Sequence, residues 1–121
     1  MKIFYIAEFI LPSNKAYSIH VFKMLDSFAR KRIKTQLIIP YAKNKTNSYN
    51  LEKFYNLKHI KLIRIKSIFS RLKNFNFFQR FKFGYKTSLN LKNLDKKNII
   101  ITRSLATSVF FSLFKISHFV E

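Results

Sequence analysis

The sequence predicts an α/β fold built on a doubly wound parallel sheet of about five strands with helices on both faces. Three observations carry this. Three short runs, KIFYIA at 2–7, TQLII at 35–39 and NIIIT at 98–102, are almost wholly β-branched, aromatic or aliphatic, as strands buried on both faces should be. An amphipathic stretch of helical period separates the first two. Apolar runs of strand length then alternate with stretches of helical length along the chain, and 121 residues suit one such domain. The arrangement expected is Rossmann-like, a single domain over 1–121.

Each element follows in order. Lys2–Ala7 is the first strand. Tyr17–Arg32 reads as the first helix, with Ile19, Phe22, Leu25 and Phe28/Ala29 on the apolar face and Ser18, Lys23, Asp26 and Arg30 on the polar one. Its basic end complements the helix C-terminal dipole. Thr35–Ile39, stopped by Pro40, is the second strand, and a right-handed crossover joins it to the first. Residues 41–50 are polar and loop-like. Leu51–Asn56 suits a helical turn, and Ile60–Ile65 alternates as a strand does. Ile68, Phe69, Leu72, Phe75 and Phe78 allow a helix within 67–94, with Gly84 expected to break or kink it. Asn98–Thr102 is a strand, Ser104–Lys115 a buried helix, and His118–Val120 the start of a further strand. Glu121 closes that strand with no helix after it, so the doubly wound domain is expected to be incomplete at its C-terminus.

Composition narrows the function classes. Hydrophobic residues make up 48% of the chain, which is not a disordered composition. The absence of cysteine excludes a disulfide framework and a cysteine-based zinc site. No apolar stretch reaches the ~20 residues of a membrane span, and no signal peptide is expected. The net charge of +19 admits two explanations. It is either a selected basic surface for nucleic acid or anionic membrane, or codon bias toward Lys, Asn, Ile and Phe. Lysines outnumber arginines three to one and are scattered, whereas bidentate phosphate recognition favours arginine.

Two stretches, MKIFYIAEFILPSNKAYSIHVFKMLDSFARKRIKTQLIIP at 1–40 and NIIITRSLATSVFFSLFKISHFVE at 98–121, resemble the N-terminal domain of family 4 glycosyltransferases. The resemblance implies one half of a GT-B arrangement, in which two Rossmann-like domains face a cleft. The N-terminal domain mainly holds the acceptor. The C-terminal one holds the nucleotide-sugar donor and a pair of glutamates seven residues apart. No two of Glu8, Glu52 and Glu121 have that separation, so the donor domain is expected to be absent and this chain alone inactive. The implied acceptor is a glycan or a lipid-linked molecule. The implied location is the cytoplasm, with peripheral contact at the inner face of the membrane. The chain departs from the family in having Arg32 where glycine often ends the first helix, and no glycine in LPSNKAYSIH at 11–20.

Ligands of open α/β sheets bind beyond the carboxyl ends of the strands at the switch point. With a strand order of 3-2-1-4-5, Asn14, Lys15, Ser18 and Arg103 converge there, and the resemblance makes them acceptor-binding candidates. Ser18 or Asn14 is equally a helix cap. Arg103 either reaches the cleft or pairs with Glu8 or Glu121, since an unpaired charge at the end of a buried strand is costly. Ser104 is a ligand residue or the cap of the following helix. Glu121 resembles the start of an acidic segment near the family's acceptor, but a lone carboxylate names no general base, and no catalytic residue is assigned. His20, His59 and His118 lack metal-ligand spacing, so no metal or resident cofactor is expected; His20 lies on a solvated helix face.

The segment FSRLKNFNFFQRFKFGYK at 69–86 interleaves Phe75, Phe77, Phe78, Phe81 and Phe83 with Arg71, Lys73, Arg80 and Lys82. It suits an anionic membrane surface, with Phe75, Phe78, Phe81, Arg80 and Lys82 as the contact. It equally suits a core helix whose basic side chains snorkel. Nucleic acid, with bases stacked on the rings, stands behind both. A free-standing basic α/β module that binds RNA or membrane without catalysis is therefore the alternative to the glycosyltransferase.

Overall fold

The computed structural model describes residues 2–11, 16–42, 57–59, 63–72, 75–93 and 97–121. Along the chain these form β1 (Lys2–Ile6), β2 (Ile10–Leu11), α1 (Ala16–Arg30), β3 (Lys34–Ile39), β4 (Tyr41–Ala42), β5 (Ile63–Ser67), α2 (Phe77–Leu91), β6 (Ile99–Thr102), α3 (Leu105–Leu113) and β7 (Phe119–Val120). The five-stranded sheet has the order β5-β3-β1-β6-β7, and every neighbouring pair is parallel. This is the doubly wound order expected from the sequence. Ile6 at the end of β1 stands opposite Ile38 on one side and Thr102 on the other.

Period-two alternation sends successive strand residues to opposite faces. Tyr5, Leu37, Ile39 and Ile63 join Val21, Phe22, Leu25 and Ala29 of α1 in one buried cluster. Phe4, Ile6, Ile38 and Ile100 join Phe83 and Leu91 of α2 and Phe111 of α3 in the other. Helices thus cover both faces, and β1 is buried on both.

Several expectations shift. The buried face of α1 is Ser18, Val21, Phe22, Leu25 and Ala29, so Ser18, expected on the polar face, points inward. Hydroxyl polarity alone does not fix a helix face when four apolar neighbours at helical spacing do. Tyr41–Ala42, expected as loop, adds a short parallel pair with Ile10–Leu11. β5 runs on to Ser67 because its ladder with β3 extends to Ile39. The turn expected at 51–56 and the first residues of the strand expected at 60–65 lie outside the described residues. The 67–94 stretch is not one helix: α2 starts only at Phe77, capped by the Asn76 side chain, which accepts from the Gln79 N–H at 3.0 Å. α3 buries only Thr107 and Phe111; Leu105, Val109 and Leu113 are exposed, so the helix expected to be buried is amphipathic in practice.

Gly84 does not break α2, which continues seven residues beyond it to Leu91. The residue serves close packing instead. A Cβ there would lie 3.0 Å from Phe110 Cδ2 and 3.1 Å from both the Cα and the N of Thr107. The left-handed positions fall elsewhere. Arg32 has φ 60° and Lys115 φ 57°, and each is the second residue past a helix in a Schellman arrangement. The Arg32 and Ile33 N–H groups donate to Ala29 and Phe28 oxygens, and those of Lys115 and Ile116 to Ser112 and Phe111 oxygens.

Two substitutions of opposite sign test this packing. Gly84→Ala gains about 0.5–1 kcal/mol of helix propensity but presses on the Thr107 backbone, at a cost of about 1–3 kcal/mol for overpacking. The variant should therefore unfold at lower urea concentration. Arg32→Gly relieves a left-handed φ and should stabilise by about 0.5–1 kcal/mol. A stabilised Gly84→Ala would show that α2 and α3 are not in backbone contact.

Candidate ligand cleft at the switch point

From β1 the chain leaves to α1 on one face of the sheet, and from neighbouring β6 it leaves to α3 on the other. The divergence opens a crevice at their carboxyl ends. The β1–β6 ladder carries one residue further, the Arg103 N–H donating to Ile6 O at 3.1 Å. On the opposite side the Ala7 N–H donates to Ile38 O at 3.1 Å. Glu8 and Ser104 therefore emerge side by side.

The Ser104 hydroxyl donates to Glu8 Oε1, and its oxygen caps α3 by accepting from the Thr107 N–H at 3.1 Å. The other Glu8 oxygen lies 3.7 Å from Arg80 Nε of α2. The Glu8 N–H donates to the Tyr17 hydroxyl at 3.3 Å, and the Arg103 guanidinium sits 4.3 Å from the centre of the Tyr17 ring. Burial pushes the Tyr17 phenol above its ordinary value despite the Glu8 N–H and the Arg103 charge. Glu8 thus ties β1 to the first turn of α3 and, more loosely, to α2.

A second group lies beside it. The buried Tyr5 hydroxyl donates to Glu121 Oε2 at 2.5 Å, and His20 Nε2 of α1 is 3.2 Å from Glu121 Oε1. The Glu121 N–H donates to Thr102 O at 3.0 Å, extending the pairing of β7 with β6. Burial raises the Glu121 carboxyl, but the hydrogen bonds from Tyr5 and His20, with the nearby Arg103 charge, outweigh it and leave the group below its usual 4.5. Burial, then the bond to Glu121, drives the Tyr5 phenol far upward.

Between α2 and the start of α3 the crevice widens into an open cleft of about 390 Å³. Glu8, Arg80 and Arg103 form its polar end. Phe77, Phe81, Leu105, Ala106 and Val109 form an apolar wall.

The sequence candidates divide accordingly. Arg103 reaches the cleft, and among the described residues it makes no ion pair with Glu8 or Glu121; the ring of Tyr17 takes the place of that carboxylate. Ser104 is a cap and a Glu8 partner at once. Ser18 is buried against the core and does not line the cleft. Glu121 does not line it and is bonded to Tyr5 and His20, so His20 is a bonded rather than merely solvated residue. Asn14 and Lys15 lie outside the described residues. Of the aromatic–basic candidates, Phe78 is exposed and Lys82 is exposed. Phe81 and Arg80 line the cleft. Phe75 packs edge-on against buried Phe83 at 6.1 Å, which removes it from any exposed patch.

Sequence reasoning missed the pairing of Glu8 with Arg80 and the aromatic seat for Arg103. Glu8 carried a readable signal, standing two residues past the first strand; the partners came from α2 and α1, which no local pattern connects. Among the described residues no group of three His, Asp or Glu gathers to hold a metal, and no helix is long and apolar enough to cross a membrane.

Tyr5→Phe should cost about 1–2 kcal/mol at pH 7, the lower part of the range for a bond to a charged acceptor, because the Glu121 side chain is 33% exposed. A carboxyl held below its usual 4.5 contributes stability that is present above that value and lost as pH falls through the folded-state value. The gap between the variant and the parent should therefore narrow between pH 5 and pH 3 in denaturant titrations. A gap independent of pH would remove Glu121 as the acceptor.

Comparisons of the chain with protein-family models, curated proteins and solved structures found no match in any of the three. The functional reading therefore stands on the cleft and on the residues that build it.

Proposed function

We propose that the chain is the acceptor-side Rossmann-like domain of a sugar-transferring enzyme of GT-B type, with the switch-point cleft receiving the acceptor. The observation that carries this is the cleft itself: one carboxylate and two guanidinium groups opposite an apolar wall, at the carboxyl ends of β1 and β6. A mixed lining of this kind suits a hydroxyl-rich or phosphorylated molecule with an apolar part. Carboxylates accept from sugar hydroxyls, arginines bind oxyanions in bidentate fashion, and aromatic rims pack against sugar faces or alkyl chains. The stretches that resemble family 4 glycosyltransferases contribute Glu8 from one and Arg103, Leu105, Ala106 and Val109 from the other, while Phe77, Arg80 and Phe81 come from α2, outside both.

In such an enzyme the donor belongs to a second domain, so the 121 residues alone should transfer no sugar from UDP- or GDP-sugars. The glycine-free loop after the first strand fits the same assignment, because close backbone approach to a pyrophosphate favours glycine.

NMR titration of the full 121-residue chain with a panel of oligosaccharides and alkyl glycosides tests the proposal. At least one should shift the Glu8, Arg103 and Ser104 amides saturably, and Arg103→Ala should weaken it about tenfold or more. If no saccharide perturbs the cleft and single-stranded RNA binds instead with steep salt dependence, the basic-module alternative replaces it.

A further inference from the structure

We infer that the cleft takes an amphiphile with a phosphate head and one alkyl chain, the head on Arg103 and Arg80 and the chain along Leu105, Val109 and Phe77. The inference rests on the proposed function only in making this amphiphile the acceptor; the binding follows from the geometry.

The two ends of the cleft differ in kind. At the polar end the Glu8 carboxylate is already engaged, one oxygen by the Ser104 hydroxyl and the other by Arg80 at 3.7 Å. That contact is long and Arg80 is 56% exposed, so it holds the guanidinium weakly. The Arg103 guanidinium carbon sits over the Tyr17 ring, 4.3 Å from its centre, a contact that uses the ring face and no hydrogen-bond acceptor, and a guanidinium can bind an oxyanion bidentately. Among the described residues no carboxylate is within ion-pair distance of it. The net charge of +19 adds a long-range attraction for anions.

At the other end the wall does not stop at the mouth. Leu105, Val109 and Leu113 follow one another at every fourth position of α3 and are 77%, 55% and 71% exposed. Phe77, at 67%, lines the cleft together with Leu105 and Val109 from the start of α2. Single exposed apolar residues are ordinary, but a continuous row leading out of a charged pocket marks a binding surface. A free phosphate would leave that row in water. A neutral detergent would leave Arg103 without an anion. At about 390 Å³ the cleft lies within the size range of small-molecule sites, which suits one chain rather than a bilayer.

The test uses the full chain and four probes: decyl phosphate, inorganic phosphate and decyl maltoside below micellar concentration, and vesicles with or without phosphatidylglycerol. By calorimetry, decyl phosphate should bind with one-to-one stoichiometry and at least tenfold tighter than either soluble competitor. Arg103→Ala should weaken it about tenfold and Leu105→Ser about threefold to tenfold. Circular dichroism checks each fold, and Arg80→Ala replaces Arg103→Ala if the latter unfolds. Phosphatidylglycerol-dependent vesicle binding that falls with Arg103→Ala assigns the head to a bilayer lipid. Vesicle binding that is absent or unchanged in the variant, with decyl phosphate binding lost, assigns it to a monomeric alkyl phosphate. Inorganic phosphate or decyl maltoside binding as tightly as decyl phosphate would overturn the inference, as would indifference of decyl phosphate to both arginine substitutions. Neither result depends on saccharide binding, so loss of this inference leaves the proposed function standing, and the reverse.

Discussion

The parallel pairing of β1 with β6 is the constraint on which the rest of the candidate site depends. Ile6 opposite Thr102 fixes the register, and the bond from the Arg103 N–H to Ile6 O carries it one step past the strands. Because the two chains then turn to opposite faces, Glu8 and Ser104 meet in the gap between them. A slip of one residue would reverse every side chain on β6. Ile100, now in the cluster with Phe83 and Phe111, would change places with Ile101. The burial pattern therefore specifies the register, and the register specifies the cleft.

The few carboxylates are used economically against a large cationic excess. The chain has five acidic residues, and the three described ones each link separate parts of the chain. Glu8 joins β1 to α2 and α3. Asp26 of α1 accepts from the His59 N–H at 2.7 Å. Glu121 joins the end of β7 to Tyr5 on β1 and His20 on α1. Several basic side chains find aromatic faces: Lys2 lies over Phe4, Lys86 over Phe69 and Lys92 over Phe114, and Arg80, beside its contact with Glu8, lies over Phe75. Such contacts are worth about 0.5–1 kcal/mol at exposed sites. The interleaving of phenylalanine with lysine that reads as a surface motif is thus partly a local means of seating charge, with Phe75 and Phe83 drawn into the core and Phe77 and Phe78 left outside.

The doubly wound order was legible because KIFYI, QLII and IIIT are buried runs whose composition leaves few alternatives, and because a clear amphipathic helix stands between the first two. What failed were inferences from single residues. Ser18 is polar yet faces inward, since its direction is set by Val21, Phe22 and Leu25. Gly84 is a helix breaker by propensity, yet its effect is decided by Phe110 and Thr107, distant in sequence. The apolar run in α3 was expected to be buried, yet of its residues only Thr107 and Phe111 are. At the site, Arg103 and Ser104 were readable from the switch-point rule because they follow a strand. Arg80 and Tyr17 were not, because each comes from a helix whose rotation only tertiary packing determines.

The most direct measurement is NMR of the labelled chain in its native state. The parallel β1–β6 centre predicts cross-strand contacts between Ile6 and Thr102, and an Arg103 amide protected from hydrogen exchange to the same degree as the core amides of β1. A rapidly exchanging Arg103 amide, or cross-strand contacts in a different register, would contradict the account, because Glu8 and Ser104 would then no longer share the cleft.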